Sequence, residues 1–141
     1  MTLFSTDIDI RASPERVWAV LRDIERWHEW TPSVTSVERL DSGPFAVGSR
    51  ARVQQPKLPP TIWEVTELEE PGGFTWIARS PGVRVTATHR IRATERGCHV
   101  RLSTRFDGVF GPFLGRLMRE LNERYLRFEA NGLKDRSENH L

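Results

Sequence analysis

The sequence predicts an α+β fold in which a curved antiparallel sheet of six to seven strands wraps around one long C-terminal helix, with two short helices after the first strand. Three observations carry that expectation. A helical apolar period runs from Phe110 to Arg136, a run of short strands punctuated by turn residues fills the stretch between Pro32 and Pro112, and the last two of those strands alternate strictly between apolar and polar side chains. With 141 residues, the chain is long enough to bury a sizeable core in a single domain, expected over residues 1–136, with 137–141 as a frayed tail.

Phe4, Thr6, Ile8 and Ile10 alternate with Ser5, Asp7, Asp9 and Arg11, which predicts a first strand with one wet face. Ser13 as N-cap, Pro14 at the first helical position and Glu15 at the positive end then start a short helix whose buried stripe is Val17, Trp18, Leu21 and Ile24. A second helical turn through Trp27, His28, Glu29 and Trp30 stops at Pro32. Strands are expected at 33–40, 49–55, 61–68, 74–80, 83–93 and 98–106. Asp41–Pro44, Pro71–Gly73, Pro81-Gly82 and Arg96-Gly97 supply the turns, and Pro56–Pro60 forms a stiffer loop poor in N–H donors. Such short links favour an antiparallel meander.

The alternation in the last two strands assigns the faces. Val83, Val85, Ala87, His89 and Ile91 point inward with Val100, Leu102, Thr104 and Phe106, while Arg84, Thr86, Thr88, Arg90, Arg92, Arg101 and Arg105 face water. Gly111-Pro112 opens the final helix, and Phe113, Leu114, Leu117, Met118, Leu121, Tyr125, Phe128 and Gly132 fall on one face of it. At 1.5 Å per residue such a helix is roughly 35 Å long, the width of a small domain.

Several function classes lack support. There are 21 Lys plus Arg against 19 Asp plus Glu, a net charge of +2, so DNA is not an expected partner. The single cysteine, Cys98, excludes an intrachain disulfide, no Cys/His cluster has metal-ligand spacing, and the absence of a leader-like or membrane-spanning apolar run leads to the expectation of a cytoplasmic protein. No cofactor is expected, because Pro71-Gly72-Gly73 lacks the Walker lysine and Gly108–Gly111 lacks the dinucleotide pattern. No Gly-x-Ser-x-Gly elbow occurs either.

The order of elements, together with Ala12–Trp18, Trp27–Pro32, Val47–Arg50, Trp63–Glu67 and Gly111–Leu114, resembles the START-like, helix-grip (SRPBCC) superfamily and within it the polyketide cyclase/dehydrase branch. The resemblance spans nearly the whole chain. It implies a deep cavity between sheet and C-terminal helix that holds a hydrophobic or amphipathic small molecule, such as a lipid, polyketide or isoprenoid. It does not imply one chemistry, since members of the superfamily include both enzymes and carriers.

Candidate site residues follow from the inward faces. His89 is the one candidate for catalysis, able to orient a ligand carbonyl or hydroxyl or to move a proton; its alternative is a hydrogen-bonded core histidine. Trp63 and Trp76 offer flat walls for ring-bearing ligands or simply fill the core, with Trp30 near the expected mouth. Asn122 and Tyr125 offer an amide and a hydroxyl, Gln55 a weaker polar contact, and Met118 and Leu121 an apolar floor. The expected function is binding of a hydrophobic small molecule. A cyclase or dehydratase is the alternative, and a further one is a protein or RNA interaction module using the Arg-rich convex face.

Overall fold

The computed structural model describes residues 2–139. Its elements are β1 (Thr2–Ile10), α1 (Pro14–Arg22), a 3₁₀ helix (Ile24–Glu29), β2 (Ser36–Arg39), β3 (Arg50–Gln54), β4 (Thr61–Glu69), β5 (Gly73–Ser80), β6 (Val83–Thr94), β7 (Gly97–Asp107), α2 (Gly111–Leu117) and α3 (Arg119–Asn139). All seven strands belong to one antiparallel sheet of order β1-β7-β6-β5-β4-β3-β2. Strands β2 to β7 form the expected meander, and β1 joins it beside β7, so the first and last strands in sequence are neighbours in space. This is a helix-grip fold: the sheet curves around the C-terminal arm.

Local chemistry explains the first crossover. The Ser13 hydroxyl accepts the Arg16 N–H at 3.1 Å and caps α1, whose apolar stripe Val17, Trp18 and Leu21 is buried. The Trp27 indole then donates to the Leu21 carbonyl at 2.9 Å, which fastens the 3₁₀ helix to the end of α1. The second strand begins later than its apolar pattern suggested, at Ser36, because the hydroxyls of Thr31 and Ser33 pair at 2.7 Å in a buried turn. On β6 and β7 the faces lie as the alternation requires: His89, Ile91, Val100, Leu102 and Phe106 are buried, and Arg84, Arg90, Arg92 and Arg101 are exposed.

The C-terminal arm departs from the expected single helix. It breaks at Met118, where φ is −102° and ψ 18°, and the side-chain amide of Asn122 donates to the Met118 carbonyl at 3.1 Å. A side chain bonded at that carbonyl is a recognised cause of a helix break. The break lets α2 lie across the end of β1 and β7, where Gly115 sits so close that an added Cβ would be 3.0 Å from Thr2, before α3 turns along the sheet. Leu114 and Met118 on one side of the break face the same cavity as Asn122, Tyr125 and Leu126 on the other, but several residues of the expected apolar face lie off it. Phe113 and Leu117 are 66% and 72% exposed, and the buried set is Tyr125, Leu126, Ala130, Leu133 and Ser137.

The expected tail is also corrected. Residues 137–139 continue α3, with Ser137 buried and Arg16 donating to the carbonyls of Arg136 and Ser137 at 3.2 and 3.3 Å, while Glu138 accepts the Arg11 N–H at 2.7 Å. Cationic donors on the last carbonyls are what a helix C-terminus requires. The rest of that tail, residues 140–141, lies outside the described residues.

Candidate functional site

A cavity of about 580 Å³ lies between the concave face of the sheet and the arm formed by α2 and α3. Pro59, Pro60, Ile62, Arg79 and Ser80 line it and are exposed, which locates the mouth beside the Pro-rich loop and the β5–β6 turn. At the other end Trp27, Val34, His89 and Leu126 are buried and close it.

The aromatic wall follows from strand register. Trp76 pairs with Val65 across β4 and β5, which makes Trp63 its diagonal neighbour on the same face, and the two rings stack at 5.6 Å with an interplanar angle of 29°. Trp27 reaches in from the 3₁₀ helix to lie 5.4 Å from Trp76 and 5.6 Å from the His89 ring. Flat apolar surfaces from three separate elements thus converge on one space.

His89 is 3% exposed and stacks on Phe74 at 4.2 Å. Its Nδ1 lies 3.0 Å from the Phe74 carbonyl oxygen, and because a carbonyl only accepts, Nδ1 carries the proton and Nε2 is a bare acceptor. Burial pushes the imidazole pKa down to about 4, against the opposing pull of the Phe74 carbonyl, so the ring is neutral near pH 7.

Several other polar candidates already have protein partners. Tyr125 donates its hydroxyl to the Pro56 carbonyl and pins the Pro-rich loop to α3. Gln55 donates to the Ser33 carbonyl at 3.2 Å, and Asn122 donates to Met118. All three line the cavity, as do Trp63, Trp76, His89 and Met118. Trp30 and Leu121 do not. The Trp30 ring packs at 5.8 Å on Trp27 and against α3 at Gly132, where an added Cβ would be 1.9 Å from the Trp30 carbonyl oxygen. Leu121 is half-buried but lies outside the lining, which α3 supplies through Asn122, Tyr125, Leu126 and Glu129.

Among the lining residues not singled out from the sequence, one is acidic. Glu129 lines the wall with no hydrogen bond or ion pair among the described residues, and burial alone raises its carboxyl pKa to about 7. Its neighbour Arg127 is exposed and Glu120 and Glu123 face water, so in sequence it reads as one more solvated charge. The signal that identifies it is its spacing, since Leu114, Met118, Asn122, Leu126, Glu129 and Leu133 recur at intervals of three and four.

The convex face is different in kind. Arg84 and Arg105 both meet Asp107, Arg90 meets Glu67 at 3.3 Å, and Arg101 meets Asp7 at 2.8 Å, so four of the five arginines of that stripe are paired along the sheet. His99, held between Asp7 and Asp9 at 2.9 and 2.8 Å, has its pKa raised by those two carboxylates. Among the described residues no helix is long and apolar enough to cross a membrane.

A curved sheet that grips a helix over an enclosed apolar cavity defines a START-like protein. The chain belongs to the polyketide cyclase/dehydrase and lipid transport family, whose sequence profile matches residues 1–138. Among solved structures, the hypothetical protein jhp0584 from Helicobacter pylori superposes with a TM-score of 0.82 at 14% identity, covering 96% of this chain and 88% of that one. A START superfamily protein from Mycobacterium smegmatis matches with a TM-score of 0.74 at 17% identity over 96% of each chain. The di-domain ARO/CYC BexL from the BE-7585A biosynthetic pathway matches at 0.71 and 15% identity, with 97% of this chain covering 48% of that one. No curated protein matches the sequence.

Proposed function

We propose that this protein binds a hydrophobic or amphipathic, ring-bearing small molecule in the cavity beneath α2 and α3. The observation that carries the reading is an enclosed space of about 580 Å³ walled by Trp27, Trp63 and Trp76, within the range typical of small-molecule sites. His89 supplies a fixed acceptor at Nε2 for a ligand hydroxyl. A reducing cytoplasm suits a chain whose one cysteine is buried with its thiol pKa pushed up to about 11. Native mass spectrometry of freshly purified protein is expected to show a retained small molecule. Apolar fluorescent probes are expected to bind saturably and quench tryptophan emission; unsaturable binding with unchanged emission would sink the reading.

A cyclase or dehydratase is the second reading, favoured by one observation: the cavity holds a neutral imidazole and an unpartnered carboxyl, which are a base and an acid in a space poor in water. The family's description and the ARO/CYC neighbour support keeping it. His89→Ala separates the two. An enzyme loses about 10² to 10⁴ in kcat with affinity nearly intact, whereas a carrier loses about 0.5 to 1.5 kcal/mol of binding and has no turnover to lose.

A further inference from the structure

We propose that Glu129 serves the cavity as a neutral carboxylic acid, donating its O–H to a carbonyl oxygen of the ligand, so that the molecule bound is an uncharged ring-bearing carbonyl compound and not a carboxylate. The inference rests on the reading of the cavity as a ligand site.

Helix geometry puts Glu129 in that space. It follows Tyr125 by four residues and Leu126 by three, and precedes Leu133 by four, and these are the positions α3 buries. Gly132, one turn on, is clamped against the Trp30 carbonyl, and Trp30 packs on Trp27, which packs on His89. Glu129 therefore belongs to the closed end, away from Arg79 at the mouth.

No cation compensates the carboxyl there. On β6 the facing titratable group is His89, which is neutral. On β1 and β7, Asp7, Asp9, His99 and Arg101 are bound to one another on the outer face. Arg16 of α1 is bonded to backbone carbonyls, Glu29 of the 3₁₀ helix is bonded to Arg136, and Arg116 of α2 and Arg124 and Arg127 of α3 are exposed. Tyr125 shares the lining but gives its proton to Pro56. With desolvation unopposed, the carboxyl holds its proton below neutral pH and ionises around a pKa of about 7.

Glu129 is half-buried in the cavity wall, and its neutral carboxyl is a donor with no acceptor among the described residues, which is costly in an apolar enclosure. Gln55 and Asn122 each have one amide N–H committed to a backbone carbonyl, whereas the Glu129 carboxyl has no partner among the described residues and is the group we assign to a ligand carbonyl. A ligand carboxylate would bring an anion into a low-dielectric space with no countercharge at the closed end.

Tryptophan-emission titrations with 2-acetonaphthone, its hydrocarbon isostere 2-ethylnaphthalene and the anion 2-naphthoate test this. At about pH 5.5 the ketone is expected to bind roughly five- to tenfold more tightly than the hydrocarbon, and naphthoate more weakly than either. At about pH 8.5 the ketone's advantage should vanish while the hydrocarbon is unaffected. Glu129→Gln, whose amide N–H still donates, should keep the ketone's advantage at both pH values. Glu129→Leu should abolish it and bind the hydrocarbon at least as well. Tighter binding of naphthoate than ketone, a ketone advantage that survives Glu129→Leu, or a pH dependence retained in Glu129→Gln would each overturn the role of Glu129 and leave the cavity as a ligand site. Absence of saturable binding by all three compounds would overturn the ligand site itself, and this inference with it.

Discussion

The two ends of the C-terminal arm treat their apolar residues in opposite ways. From Val109 to Leu117 the chain leaves Val109, Phe110, Phe113 and Leu117 between 59% and 85% exposed, whereas beyond Tyr125 it buries Leu126, Ala130 and Leu133, the last at 0% exposure. Composition does not explain this, since Val109–Leu117 carries one charged residue in nine and 126–139 carries six in fourteen. What differs is what lies beneath: α3 packs on β1, β7 and α1 and sends Leu126 and Glu129 to the cavity wall, while Leu114 and Met118 roof the cavity. Packing energy comes from filled contacts, so the far end holds the domain together and the near end encloses the cavity without contributing comparably.

Leu133→Asp gives the largest expected effect, because it places an unpaired carboxylate in the fully buried contact of α3. A loss of more than about 4 kcal/mol, read as failure to show a cooperative thermal transition, is expected. A melting temperature within a few degrees of the parent would break the comparison.

Glu129→Gln comes next and depends on pH. The carboxyl pKa rises from 4.5 to about 7 on folding, so the proton is held more tightly in the folded state, and the penalty for keeping the acid buried grows as pH rises from about 4.5 to about 7 and is constant above. The variant should be more stable than the parent by up to about 3 kcal/mol at pH 8 and indistinguishable at pH 4, measured by urea denaturation. His89 runs the other way. Its pKa falls from 6.5 to about 4, so the stability it contributes is present above pH 6.5 and is lost as pH falls toward 4. Replacing His89 by Gln should flatten the acid limb of the stability curve and leave the alkaline limb unchanged.

Gly132→Ala sharpens the comparison within α3. Alanine is favoured over glycine in a helix by about 1 kcal/mol, yet the new Cβ would meet the Trp30 carbonyl at 1.9 Å. A net loss of about 1 to 3 kcal/mol is expected, and a gain in thermal stability would show that α3 and the 3₁₀ helix move apart freely. Leu117→Asp is the smallest effect, within about 0.5 kcal/mol of the parent, since its side chain is 72% exposed. A loss comparable to that of Leu133→Asp would mean the two ends are packed alike.

Much of the fold was legible because it rests on short-range rules. The period of two in Val83–Ile91 and Val100–Phe106 assigned the inner face and placed His89 on it, and Ser13-Pro14-Glu15 marked the start of α1. The cavity residues on strands were legible from alternation, and Met118, Asn122 and Tyr125 from the helical period. Trp63, Trp76 and His89 follow directly from alternation, whereas Leu121 and Trp30 were placed in the cavity wall and Glu129 was not.

Sequence alone determined the meander, the inward histidine and the existence of a long apolar C-terminal arm, since each depends on side chains a few residues apart along one element. Tertiary structure decided where that arm breaks, which residues its second half turns inward, and that Ser137 is buried and not frayed. The physical reason is the phase of a helix. That phase puts Leu114, Met118, Asn122, Tyr125, Leu126 and Glu129 on one side, and which of its positions meet the cavity depends on how the arm is seated, where Gly115 meets Thr2 and the helix breaks at Met118. Those contacts join positions as far apart as Thr2 and Gly115, and no local pattern contains them.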